Sequence, residues 1–167
     1  MAARILVAYT TRKGSTAEVA LAIGKDLEKT GAVVTVADMT TISSLEGYTG
    51  VVIGTPVYTG KVSGDVTAFA TRFKDQLQQV PVAGFVTGIA PVYPKTGDVS
   101  VFTGQLAGAL APVQLVAVAM FAGKLDAARL SLIERGMTSL LKVPTGDFRD
   151  WAAIAAWTRE LPAKMGI

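Results

Sequence analysis

The 167-residue sequence contains neither cysteine nor histidine. Without cysteine there is no disulfide, no iron–sulfur ligation and no thiol nucleophile. Without histidine, Ser-His-Asp catalysis and most zinc sites are excluded. If the protein catalyses a reaction, we therefore expect a bound cofactor to supply the reactive atoms.

Long hydrophobic runs are absent as well. Half of the residues are hydrophobic, but they occur in short bursts separated by Gly, Pro and Thr. A membrane-spanning helix needs roughly 20 apolar residues in a row, so none is predicted. The opening stretch MAARILVAY lacks the small-residue cleavage site of a signal peptide. We expect a cytoplasmic protein with a single domain over residues 1–167.

Charge is sparse and only mildly positive. Asp, Glu, Lys and Arg make up 17% of the chain, the net charge is +3 and the pI is about 9.3. Nucleic-acid binding requires basic residues clustered on one surface, whereas these cations are mostly scattered along the sequence. No nucleic-acid partner is expected.

Strand-like and helix-like segments alternate along the sequence. Strands are predicted at residues 3–9, 32–38, 50–55, 81–88 and 112–123, where apolar residues dominate as in strands buried on both faces. Apolar residues at helical spacing predict helices at 15–29, 63–79, 98–110, 126–142 and 148–164. Right-handed crossovers then place helices on both faces of a five-stranded parallel sheet, which is an α/β three-layer sandwich.

Two details concern the last helices. Asp126 and Asp147 are expected to be their N-caps. Trp151, Ile154 and Leu161 are expected to lie in the core rather than at a site.

Three loops follow the carboxyl ends of predicted strands, at residues 10–16, 56–63 and 88–97. They are rich in Gly, Thr and Tyr and poor in apolar aliphatic residues. In open parallel sheets the ligand binds beyond the carboxyl ends of the strands, where the strand order reverses. The three loops therefore form the predicted binding site.

The first loop, TTRKGST, joins the first strand to the first helix. Free backbone N–H groups and the positive end of the helix dipole favour an anion at such a position. Hydroxyl donors and a flexible glycine line it: Thr10, Thr11, Ser15, Thr16 and Gly14. This pattern favours a phosphate site. The alternative is that Ser15 only caps the helix, with Glu18 completing a capping box.

The spacing T-x-x-G-x-T at Thr11, Gly14 and Thr16 resembles the FMN phosphate loop of flavodoxins. The alternation of strands and helices also resembles that family, which implies FMN as cofactor and the strand order 2-1-3-4-5. No Walker A motif and no G-x-G-x-x-G after a strand is present, so the sequence supports neither a nucleoside triphosphatase nor a Rossmann domain.

The other two loops extend this resemblance. GTPVYTGK is similar to the flavodoxin loop that places an aromatic residue, here Tyr58, against the isoalloxazine ring. TGIAPVYPKTG corresponds to the loop at the pyrimidine edge of the flavin, with Tyr93 as a second stacking candidate. The alternatives are that Tyr58 packs on the end of the sheet and that Tyr93 is an exposed turn residue. The resemblance implies the following cofactor-binding residues: Thr10, Thr11, Arg12, Lys13, Gly14, Ser15, Thr16, Pro56, Val57, Tyr58, Thr59, Gly60, Thr87, Gly88, Ile89 and Tyr93.

A narrower resemblance lies in the last third of the chain. FAGKLDAARLSLIERGMTSLLKV followed by TGDFRDWAAIAAW resembles the C-terminal region of menaquinone-dependent protoporphyrinogen IX dehydrogenases. These flavodoxin-fold FMN enzymes act in haem biosynthesis. The resemblance implies an oxidoreductase in which hydride passes from a porphyrinogen to FMN and electrons pass on to a quinone. It assigns no catalytic side chain and no metal.

Cations in the three loops agree with a quinone acceptor. Arg12, Lys13, Lys61 and Lys95 would favour negative charge on a reduced flavin and attract the propionates of a porphyrinogen. The alternative is that they are solvated surface charges. The predicted helix at 126–142 has an apolar face that is compatible with peripheral membrane contact or with covering its own sheet. Two other functions remain open: a flavodoxin-type electron carrier, and a domain without cofactor that serves as an interaction surface.

Overall fold

The structure is a computed structural model that describes residues 2–93, 97–125 and 146–167. The strands of these ranges are β1 (Arg4–Tyr9), β2 (Val33–Asp38), β3 (Gly50–Tyr58), β4 (Lys61–Val62), β5 (Val82–Gly88), β6 (Leu115–Ala122), β7 (Lys124–Leu125) and β8 (Gly146–Asp147). The helices are α1 (Ser15–Glu28), a 3₁₀ turn (Met39–Thr41), α2 (Gly64–Arg72), α3 (Lys74–Leu77), α4 (Val99–Leu110) and α5 (Trp151–Met165). The predicted helix at 126–142, its cap Asp126 and Lys95 lie outside the described residues.

The five long strands form one parallel sheet in the order β2-β1-β3-β5-β6. This is the predicted order 2-1-3-4-5, because the additional strand β4 pairs only with β3. The strand order reverses between β1 and β3, so the carboxyl ends of these two neighbours border the crevice where a ligand is expected.

Strand alternation divides the core into two layers. Ile5 and Val7 of β1 point to the side covered by α1 and α5, while Leu6 and Ala8 point to the side covered by α2 and α4. All four of these side chains are buried. Because both faces of the central strands are covered, their sequences are apolar throughout rather than alternating.

The predicted helix over residues 63–79 is wrong in one respect, because it is interrupted. Phe73 leaves the helical region, with φ −115° and ψ 21°, and separates α2 from α3. Its ring packs 5.0 Å from that of Phe69, and Leu77 of α3 is fully buried. The interruption thus allows both halves to place apolar side chains in the core.

Two predictions for the end of the chain are wrong. Asp147 does not cap a helix but lies in β8, and α5 is capped by Asp150, whose carboxylate accepts the Ala153 N–H at 3.0 Å. Trp151 is 44% exposed, because it occupies the first residue of α5. The core placement of Ile154 and Leu161 is confirmed. Within the described residues, no helix has the length and apolarity required to cross a membrane.

Candidate cofactor site at the carboxyl ends of the strands

The loop over residues 10–16 joins the end of β1 to the start of α1, as predicted. Gly14 is the N-cap and has φ 90°, a left-handed conformation that favours glycine. Ser15 is therefore the first residue inside the helix, and the structure contradicts the alternative in which it only caps the helix with Glu18. The Glu18 N–H donates to the Gly14 carbonyl at 3.3 Å, so the N–H groups of the first turn before it point out of the helix.

Two hydroxyls of this loop accept hydrogen bonds from backbone N–H groups. Thr11 Oγ1 accepts from the Gly14 N–H at 3.0 Å, and Ser15 Oγ accepts from the Lys124 N–H at 3.3 Å. A hydroxyl that accepts in this way retains its own proton for another acceptor. Thr11 and Ser15 are therefore suited to donate to an anion at the N-terminus of α1.

The other two hydroxyls have different partners. Thr10 Oγ1 donates to Asp65 Oδ2 at 2.7 Å, so its proton is directed to a carboxylate. Thr16 Oγ1 lies 2.8 Å from Thr87 Oγ1, and both threonines are buried. The four hydroxyls that look equivalent in the sequence thus have different partners: two accept from backbone N–H groups, one donates to a carboxylate and one belongs to a buried pair.

The second predicted loop, at residues 56–63, is largely strand and turn, so its prediction as a loop is wrong in that respect. β3 continues through Pro56 and Val57 to Tyr58, and β4 returns beside it. Thr59 and Gly60 form the two-residue turn, with φ 50° and 79°. Positive φ at both positions is the geometry that matches the twist of two antiparallel strands.

The aromatic side chain of this hairpin lies against the first loop. The guanidinium carbon of Arg12 is 3.4 Å from the centroid of the Tyr58 ring, which is a cation–π contact. Gln105 of α4 supports the turn from the other side, because its amide accepts from the Val62 N–H at 3.0 Å and donates to the Gly60 carbonyl at 3.1 Å. The hairpin therefore holds Tyr58 at the edge of the loop at residues 10–16.

The third loop turns sharply at the end of β5. The N–H groups of Val92 and Tyr93 both donate to the Ile89 carbonyl, at 2.9 and 2.7 Å. The Gly88 carbonyl accepts from Gly123 at 2.9 Å, which ties this loop to the end of β6. The contacts between Thr16 and Thr87 and between Arg12 and Tyr58 join all three predicted loops at one edge of the sheet. Their part in cofactor binding stays a prediction.

Three residues near this edge were not identified from the sequence: Asp65, Lys124 and Arg149. Asp65 reaches the loop from the first turn of α2, and Lys124 reaches Ser15 from β7. Arg149 forms ion pairs with Glu18 and Asp147. The only signal in the sequence is the alternation DFRD at 147–150, which indicates a local ion pair but not the contact with α1.

The Arg149 pairs perturb the pKa values of this cluster. Hydrogen bonds from Arg149 lower the pKa of Asp147 from 3.8 to about 2, more than burial raises it. Hydrogen bonding to Asp147 raises the pKa of Arg149 more than burial lowers it, and the hydrogen bond to Glu18 raises it further. Asp147 and Arg149 are therefore both charged near neutral pH.

The donor set fits the phosphate of FMN better than it fits a metal ion. Backbone N–H groups, two hydroxyl protons and the positive end of α1 all favour an oxyanion. Among the residues that the structure describes, no group of three or more Asp or Glu side chains could hold a metal ion. The geometry of this edge of the sheet therefore suits an oxyanion beside an aromatic ring.

The family model of the flavodoxin domain matches residues 6–151 of the 167-residue chain, and the chain belongs to this family. FMN, the predicted cofactor, is the one that this membership indicates. No curated protein matches the sequence.

Solved structures show the same fold. Rubredoxin:oxygen oxidoreductase from Desulfovibrio gigas is similar with a TM-score of 0.60 at 13% identity, over 98% of this chain but only 37% of that protein. A short-chain flavodoxin associated with a PDU bacterial microcompartment gives 0.59 at 13% identity, over 98% of this chain and 97% of that one. A flavodoxin variant from Pseudomonas aeruginosa gives 0.52 at 18% identity, over 93% and 99%. The predicted flavodoxin-like fold is confirmed.

Proposed function

We propose that this protein binds FMN and acts as a redox protein of the flavodoxin type. The observation that carries the proposal is the orientation of the Thr11 and Ser15 hydroxyls, which accept from the N–H groups of Gly14 and Lys124. Their protons are left to converge with the first N–H groups of α1 on one oxyanion. A phosphate monoester with several acceptor oxygens is the ligand that such a donor set binds best.

The hairpin supplies the second half of the site. With the phosphate at the start of α1, a planar ring attached to it would reach the end of β3, where Tyr58 lies. Stacking on an aromatic face contributes about 0.5–1.5 kcal/mol beyond the area buried. Arg12 covers one face of the Tyr58 ring, and the flavin would stack on the other face.

The chain lacks cysteine and histidine, so it has no dithiol redox pair and no histidine to ligate a redox metal. Bound FMN would supply one- and two-electron chemistry, and the residues of the site would bind and orient it. Arg12 over Tyr58, and Lys61 opposite Tyr58 in the β3–β4 ladder, add positive charge where the ring would lie. Cations at this position favour negative charge on a reduced cofactor.

Binding can be tested with the apoprotein and two ligands, FMN and riboflavin, by quenching of flavin fluorescence. We expect FMN to bind at least tenfold more tightly, because riboflavin lacks the phosphate. Thr11→Ala should weaken FMN binding about ten- to hundredfold and leave riboflavin unchanged, since only one charge-assisted hydrogen bond is lost. Thr103→Ala on α4 is the matched control, because its hydroxyl bonds only to carbonyls of its own helix. Equal affinity for the two ligands would contradict the phosphate assignment.

The finer function that we propose is oxidation of a porphyrinogen with a quinone as acceptor. It is favoured by the positive charge of Arg12 and Lys61 beside the stacking residue, which suits an anionic substrate and a less negative flavin potential. The test is an anaerobic assay of the FMN-loaded protein with protoporphyrinogen IX and a menaquinone analogue. Turnover of protoporphyrinogen IX with the menaquinone analogue would support the proposed enzyme activity. Rapid reduction only by a reductase protein would instead identify an electron carrier.

A further inference from the structure

We infer that Arg149 is a positioning residue for the phosphate end of the site: it fixes the contact between α1 and the β7–β8 pair, and through that contact it orients the hydroxyl of Ser15. The inference rests on the proposed binding of FMN. The residues involved, Lys124, Asp147 and Arg149, come after the third loop in the sequence and are not part of the T-x-x-G-x-T pattern.

The contact between α1 and the β7–β8 pair has Ser15 on one side and Lys124 on the other. The Lys124 N–H donates to Ser15 Oγ at 3.3 Å, a distance at the long end of the normal range. Such a bond holds its geometry only if the two elements are fixed relative to each other by other contacts. Lys124 pairs with Asp147 in the short ladder between β7 and β8.

Arg149 provides the additional contact on both sides of that hydrogen bond. Its Nε and Nη2 donate to the two carboxylate oxygens of Asp147, at 2.8 and 2.7 Å, so it holds the ladder partner of Lys124. Its Nη1 donates to the carboxylate of Glu18, one turn after Ser15 on α1. The guanidinium therefore connects the element that carries the donor with the helix that carries the acceptor.

The Arg149 side chain is held in place by several contacts and is largely shielded from solvent. Its side chain is 8% exposed, whereas those of Glu18 and Asp147 are 52% and 43% exposed. Its guanidinium carbon lies 4.9 Å from the centroid of the Trp151 ring, and the Phe148 N–H donates to the Gly123 carbonyl at 3.1 Å. A planar fork that binds two carboxylates and stacks on a ring cannot be replaced by lysine without loss of one partner.

A purely structural role and a positioning role make different predictions. If Arg149 only stabilised the fold, its loss would weaken binding of FMN and riboflavin equally. If it acts through the hydroxyl of Ser15, only the phosphate-bearing ligand is affected. The ratio of the two affinities is therefore the readout that separates these roles.

The first measurement compares Arg149→Gln with the unsubstituted protein by fluorescence titration with FMN and riboflavin. We expect about three- to tenfold weaker FMN binding, part of the effect of one charge-assisted hydrogen bond, and riboflavin affinity within about twofold. Lys164→Gln removes the same charge from an exposed ion pair on α5 and should change neither affinity. Glu18→Gln releases only the α1 side of the contact and should show the same selectivity if Arg149→Gln folds poorly.

The second measurement is a double-mutant cycle with Ser15→Ala. If Arg149 acts through Ser15, adding Arg149→Gln to Ser15→Ala weakens FMN binding by less than about twofold further. Arg149→Lys should recover part of the loss, because it keeps one ion pair. The inference is overturned if Arg149→Gln weakens FMN and riboflavin binding equally, if it weakens neither, or if its effect and that of Ser15→Ala are fully additive. None of these outcomes contradicts the proposed binding of FMN. Failure of the unsubstituted protein to bind FMN removes the proposed function and this inference together.

Discussion

A methyl group added at Gly54 tests how the core beneath the site is packed. Gly54 lies in β3 directly opposite Phe85 of β5. A Cβ at this position would lie 2.5 and 2.7 Å from Cε1 and Cε2 of the Phe85 ring, and closer still to Cζ. Real Cβ atoms do not approach other heavy atoms so closely, so either the ring or the strand must move.

The ring of Phe85 has little room to move. It is fully buried, and the rings of Phe121 and Trp157 lie 6.2 and 6.3 Å from its centroid. Insertion of a methyl group into a well-packed core costs about 1–3 kcal/mol. Because Phe85 is enclosed, we expect Gly54→Ala to cost about 3 kcal/mol, which lowers Tm by about 6–12 °C in a protein of this size.

The same substitution should reach the phosphate loop. The Gly54 carbonyl accepts a hydrogen bond from the Thr10 N–H at 3.0 Å. This bond ties the first residue of the loop at 10–16 to β3. A shift of β3 that relieves the overlap with Phe85 therefore also displaces Thr10. We expect weaker FMN binding in addition to the loss of stability.

Thermal unfolding followed by circular dichroism measures the first effect, and Gly104→Ala is the matched control. Gly104 lies within α4, and a Cβ there would meet nothing within 4 Å. This control should gain about 0.5–1 kcal/mol, because alanine favours the helix over glycine. A smaller side chain at position 85, as in Gly54→Ala combined with Phe85→Leu, should restore part of the stability. A Gly54→Ala protein as stable as the parent would refute the packing argument.

Three further predictions concern the site and its flank. Tyr58→Leu should weaken FMN and riboflavin binding equally, by about two- to tenfold, because it removes ring stacking and leaves the phosphate donors in place; fluorescence titration measures both. Arg12→Gln should make the midpoint potential of the bound flavin more negative in an anaerobic redox titration, since a cation beside the proposed position of the ring is lost; an unchanged potential would contradict the proposed placement of the flavin beside Arg12. The pKa of Asp147, lowered from 3.8 to about 2 by Arg149, implies stability that is present above pH 3.8 and lost as the pH falls through about 2. The free energy of unfolding by urea should therefore exceed that of Asp147→Asn by about 1 kcal/mol near neutral pH, after allowance for solvent screening, and this difference should shrink as the pH falls from 3.8 and vanish below about pH 2; a constant difference would contradict the assignment.

The sheet and the position of the site were predictable because both follow from local patterns and from general topology. Strands β1, β3 and β5 are apolar runs with few alternative structures, and parallel strands require crossovers of one hand. Once the strand order reverses between β1 and β3, the loops after them must meet at the same edge. The contact between Arg12 and Tyr58 is a direct consequence.

The errors arose where neighbouring residues compete for one role. Either Gly14 or Ser15 could precede α1, and the sequence favours serine as a cap. The chain uses Gly14 instead, since its φ of 90° allows the turn and frees Ser15 for a contact with Lys124. In the same way, Asp147 and Asp150 are both suitable caps for α5, and Asp147 is bound by Arg149. Local preference permits two solutions in each case, and a tertiary contact selects one.

The direction of a hydroxyl proton is the part of the site that no local pattern contains. Thr10, Thr11 and Ser15 are chemically alike, yet a carboxylate accepts from the first, and backbone N–H groups donate to the other two. The partner of Ser15 lies 109 residues away in the sequence. The hydroxyl of Thr11 is thus oriented within the loop by Gly14, whereas that of Ser15 is oriented only when the strands that follow the loop are in place. Loss of the β7–β8 contact should accordingly reduce selectivity for phosphate without altering a single residue of the loop.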